Sequence, residues 1–138
     1  MKVLAAILAF SIVSTGLHYT HNFVELDQYP DDVIGGPAVQ VAILISWPLL
    51  TAIGLYGYRL YAQGRTREAH ICLLTYSLLG LTTFGHLLDD SPDIGAFWYA
   101  TIFTDGIAGL ALVGFVTWSA YRSRRANAAR AAAPTSPR

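Results

Sequence analysis

The chain has 138 residues, no net charge, 54% apolar residues and only 13% charged ones. A soluble domain carries about a quarter charged residues, and the few present here are clustered, leaving uncharged runs that no water-exposed helix of that length could present. One cysteine, Cys72, excludes an internal disulfide and a cysteine-based zinc site, and no nucleic-acid partner is expected.

The first apolar run, preceded only by Lys2, predicts a membrane helix over about 2–20. A cleaved signal peptide is the alternative, with one basic residue, an apolar core and the small residues Ser14, Thr15 and Gly16. A loop follows, marked by Tyr29-Pro30-Asp31-Asp32 and Gly35-Gly36. Pro37 suits the first turn of a second helix, predicted over 37–62 and kinked by Pro48, which removes an intrahelical hydrogen bond. Gln63 to Glu68 is a short polar link, so a third helix over 69–88 should return antiparallel to the second. Asp89-Asp90-Ser91-Pro92-Asp93 is a second acidic turn, and a fourth helix is predicted over 94–121. The tail 122–138, rich in Arg, Ala, Pro and Ser, has no apolar face and is expected to be disordered.

Each run is long enough, at about 20 residues, to cross roughly 30 Å of hydrocarbon. All nine basic residues, from Lys2 through Arg59, Arg65 and Arg67 to the C-terminal arginines, fall at one end of these helices. Both acidic turns fall at the other. The positive-inside rule then puts both termini in the cytoplasm of a multi-pass plasma-membrane protein. Tyr56, Tyr58, Tyr61, Trp118 and Tyr121 at one end, with Trp98 and Tyr99 at the other, fit interfacial belts. The pairs Gly54 and Gly57, Gly80 and Gly85, and Gly106 and Gly109 read as sites of close helix packing.

Asp105 is the sharpest chemical signal. It lies roughly 16 Å into the fourth helix at 1.5 Å per residue, where a charge costs about 2.5 to 3.5 kcal/mol on insertion scales. It should therefore face the bundle, on one stripe with Trp98, Thr101, Gly109 and Leu112. His86 is expected on one face of the third helix with Thr82, Thr83, Asp89 and Asp90. His18 and Asn22, and His21 and Glu25, are one-turn pairs that bring histidines to the same outer end. His70, about 24 Å from His86 along the helix, receives no role.

Three chemistries follow. His18, His21, His86, Asp89 and Asp90, with Asp105 within reach, could hold a divalent transition metal, the donors suiting zinc, iron, manganese or copper(II). His18 and His86 could instead be axial ligands of one b-type haem. Without either, Asp105 with His86 forms a candidate acid/base pair for a lipid-soluble substrate. The alternative for the whole protein is an accessory or assembly subunit, as a homo-oligomer or in a larger membrane complex, whose polar residues only pin helices together.

His21 and Glu25 resemble the His-x-x-x-Glu of the EXPERA family of sterol isomerases and sterol-binding four-helix proteins. More broadly, His18-Tyr19, Tyr29-Pro30, Trp47, Gly54 to Tyr61 and Gly85-His86 resemble small four-helix bacterial membrane proteins of unassigned function, a likeness that implies no activity. The expected fold class is all-α, an integral membrane four-helix bundle.

Overall fold

A computed structural model of the chain describes residues 1–25, 37–87 and 95–132, with only the backbone at Pro37, His86 and Leu87. Four helices appear: α1 (Lys2–Val24), α2 (Pro37–Ala62), α3 (Thr66–Thr82) and α4 (Ala96–Ala132), with a 3-10 turn over Thr83–Leu87 after α3. There is no strand among the described residues. Each helix packs on its chain neighbours and α4 closes back on α1, giving an up-and-down ring of four. Three helices, Lys2–Val24, Ala38–Ala62 and Ala96–Ala132, are long and apolar enough to cross a membrane.

The boundaries differ from expectation for local reasons. α1 runs to Val24, where the Glu25 amide donates to the His21 carbonyl and closes the last turn. α3 is the shortest helix, 17 residues, and starts at Thr66. Its far end tightens because Thr82 and Thr83 turn their hydroxyls back onto the carbonyls of Leu79 (3.0 Å) and Gly80 (2.6 Å). Helical geometry therefore does not reach residue 88 as one α-helix. α4 continues past Tyr121 to Ala132. Arginine and alanine are among the strongest helix formers, so much of the segment expected to be disordered is an exposed helix.

The link between α2 and α3 is built on Gly64, whose φ of 78° lies in the left-handed region. The Arg65 amide donates to the Leu60 carbonyl and the Gly64 amide to that of Tyr61, satisfying the orphan carbonyls of the helix end. Beyond that turn the helices approach through their glycines. A Cβ at Gly54 would lie 2.6 Å from the Tyr76 ring, and one at Gly57 2.9 Å from Cys72. A Cβ at Gly80 would collide with the Asp105 carbonyl, and one at Gly106 with the Phe84 ring. Gly85 differs from this set: a Cβ there meets nothing within 4 Å among the described residues.

Packing divides the bundle lengthwise. Near the arginine end the core is apolar, made by Leu4, Leu8, Leu73, Tyr76, Leu79, Leu112, Phe115 and Val116. Toward the other end the interior turns polar, with Ser11, Ser14, Thr15, His18, His21, Thr83, Thr101 and Asp105 all buried. α1 and α4 supply most of that polar half.

Candidate functional site

The polar half is organised along the seam between α1 and α4. His18 is buried, its Nε2 3.2 Å from the Asn22 amide nitrogen and its Nδ1 3.5 Å from the Thr101 hydroxyl. Thr101 donates its own proton to the Trp98 carbonyl at 2.6 Å, so it can only accept from His18. One turn below His18, Ser14 donates to Thr104 at 2.8 Å, and Thr104 donates to the Thr101 carbonyl at 3.2 Å.

Asp105 lies one turn along α4 from Thr101 and is fully buried. Neither carboxyl oxygen has a hydrogen-bond partner among the described residues. Its backbone faces Gly80 of α3. The expected stripe is present: Thr101, Asp105, Gly109 and Leu112 are all buried, with Trp98 half-buried above them.

His21 and Glu25 sit farther out. The His21 ring tilts against Trp98, centroids 4.5 Å apart, and with Glu25, Thr20 and Val24 they line a cleft of about 280 Å³. Asp89 and Asp90 lie outside the described residues, as does the His86 side chain. The 3-10 turn changes the register argument for His86, since residues three apart eclipse in that geometry and place its backbone in line with Thr83 rather than on an α-helical face with Thr82. Among the described residues no three His, Cys, Asp or Glu side chains gather closely enough to hold a metal ion. Of the expected ligands, His18 contacts Asn22 and Thr101, and His21 stacks on Trp98.

Two features go beyond the sequence reading. At the arginine end, Ser119 of α4 takes contacts from Tyr61 (3.0 Å) and His70 Nε2 (3.1 Å), tying three helices at one hydroxyl. Nearby the Glu68 carboxylate accepts from Arg65 at 3.0 Å, and this bond pushes the guanidinium above its ordinary value. On the other flank, a cleft of about 280 Å³ opens between α1 and α2 beside Tyr19, Trp47 and Pro48. The Trp47 indole donates to Thr15 at 3.2 Å across that interface. The signal for both lay in matching depths of polar and aromatic residues on different helices.

Comparison with family models, characterised proteins and solved structures found no match.

Proposed function

We propose that this is a multi-pass plasma-membrane protein that performs acid/base chemistry on a lipid-soluble small molecule, with Asp105 and His18 handling the proton. The carrying observation is Asp105 itself, a fully buried carboxyl whose oxygens have no hydrogen-bond partner among the described residues. Burying such a group without a partner costs about 1 to 3 kcal/mol, and proteins keep that cost where the group works. Thr101, which meets His18, lies one turn of α4 from Asp105, and the surrounding Ser and Thr hydroxyls can orient a proton without competing as bases. His21 and Glu25 line the outer cleft beside Trp98, away from this pair.

The arginine end supports cytoplasmic termini by the positive-inside rule, which puts the His18 and Asp105 half toward the opposite face. The test is conversion of lipid extract by the full chain in nanodiscs, wild type against Asp105→Asn, with folding checked by circular dichroism. The variant is expected to lose at least a hundredfold in rate. Equal conversion by both proteins removes the reading.

A second reading, an assembly subunit, draws on α2. Val41, Leu44, Ile45, Leu49 and Leu55 are exposed along it, a face on which another helix could pack, whether of a second copy or of a larger complex. Light scattering of the detergent-solubilised protein separates the two, since a subunit without chemistry should assemble equally well with Asn at 105.

A further inference from the structure

The cleft between α1 and α2 is walled mostly by apolar and aromatic residues, and the hydroxyl of Thr20, its one aliphatic polar side chain, donates to the Gly16 carbonyl. Gly16, Tyr19 and Phe23 form one side, and Leu44, Trp47 and Pro48 the other. Pro48 has no N–H, so the Leu44 carbonyl lacks the donor that position i+4 gives the carbonyls of a helix interior. Both residues line the cleft, so the bond that Pro48 removes from the helix falls at its wall. In hydrocarbon no water replaces the missing bond, and an unsatisfied backbone group there costs several kcal/mol. An acyl chain, which has no donor, cannot relieve it.

The other polar atoms narrow the occupant further. The Trp47 N–H is committed to Thr15, leaving the indole as a flat packing wall. That wall closes on Gly16, where even a Cβ would sit 3.2 Å from the ring. Tyr19 borders the cleft and follows His18 in α1, so this helix carries the cleft wall and the seam to α4 side by side. A volume of about 280 Å³ is near the lower end of small-molecule sites and suits one ring with a short chain.

We infer that this cleft binds a membrane-dissolved, hydroxyl-bearing apolar molecule, its ring on Trp47 and its hydroxyl donating to the Leu44 carbonyl. Binding stands on the cleft alone. The further step, that the bound molecule is the substrate, rests on the acid/base reading above.

The test uses the full chain in nanodiscs with Trp98→Phe and Trp118→Phe, leaving Trp47 as the only tryptophan. The probe is a ring-brominated 4-alkylphenol, whose bromine quenches indole fluorescence, compared with its methyl ether, which keeps the apolar body and loses the donor. Saturable quenching by the phenol, with the ether about tenfold weaker, is expected. Pro48→Ala restores the N–H to Leu44 and should erase the phenol–ether difference without unfolding the helix, and Ile43→Phe, at a position that also lines the cleft, should abolish saturation by filling it. Equal quenching by phenol and ether, rising linearly with mole fraction as simple lipid partition does, overturns the inference, as does an unchanged ratio in Pro48→Ala. Asp105→Asn should bind the phenol as wild type does. Retained selective binding with unimpaired conversion in that variant would sink the acid/base reading and leave the site standing.

Discussion

His18 and Thr101 meet across the α1–α4 seam, imidazole Nδ1 to hydroxyl at 3.5 Å, while Thr101 sends its only proton to the Trp98 carbonyl at 2.6 Å. This leaves Thr101 as the acceptor for a buried ring N–H. Thr101→Val keeps the shape and removes the acceptor, so it should cost about 1 to 3 kcal/mol, read as a lower unfolding midpoint in detergent. Thr101→Ser should stay near wild type. If valine is tolerated as well as serine, the contact does not hold the two helices together.

Asp105 should oppose stability. Replacing it with Leu removes two buried oxygens that lack partners among the described residues and supplies packing of similar size. Asp105→Leu is expected to unfold later, by about 1 to 3 kcal/mol, while losing the activity assigned above; such trade-offs are common at working sites. Chemical denaturation decides it, and a less stable leucine variant would show that the carboxyl holds the fold.

Gly80 and Gly85 offer a matched pair five residues apart. A methyl at Gly80 runs into the Asp105 backbone, whereas at Gly85 it meets open space among the described residues. Gly80→Ala should cost about 1 to 3 kcal/mol through overpacking, with Gly85→Ala changing the unfolding midpoint little. Equal effects at the two positions would contradict the close approach of α3 and α4.

Ser119 is one hydroxyl shared by Tyr61 and His70. Ser119→Ala strands both partners near the arginine end and should lower stability by about 1 to 3 kcal/mol. Adding Tyr61→Phe and His70→Phe to that variant should recover part of the loss, because no stranded polar group then remains. A triple-mutant cycle on unfolding midpoints reads the coupling.

Helix number and order were legible because long uncharged runs and two acidic turns leave few alternatives. Boundaries were harder wherever a side chain competes with the backbone, as at Thr82 and Thr83, or where Ala and Arg sustain a helix without an apolar face, as beyond Tyr121. Asp105 stood out because depth alone makes a carboxylate costly, and His18 because it shares that half of the bundle. The partnership of His18 with Thr101, the Ser119 junction and the cleft at Pro48 were hidden. Periodicity tells which face a residue takes, but the neighbour across it depends on the helix order in space and on the offset of their ends. His86 shows the same limit: its expected face assumed 100° per residue, and the chain turns by 3-10 geometry there.

α4 is a single rod of 37 residues that carries Asp105 near one end and Arg122, Arg124, Arg125 and Arg130 near the other. Arg122 stacks over Trp118 at 5.2 Å and Arg125 over Tyr121 at 5.6 Å, so the first turns of the overhang are braced against the shaft. At 1.5 Å per residue, Asp105 and Arg125 are separated by about 30 Å of stiff helix. A helix that long ties the arginine cluster and the buried carboxyl to one stiff element, with the Ser119 junction fastening it to α2 and α3 in between.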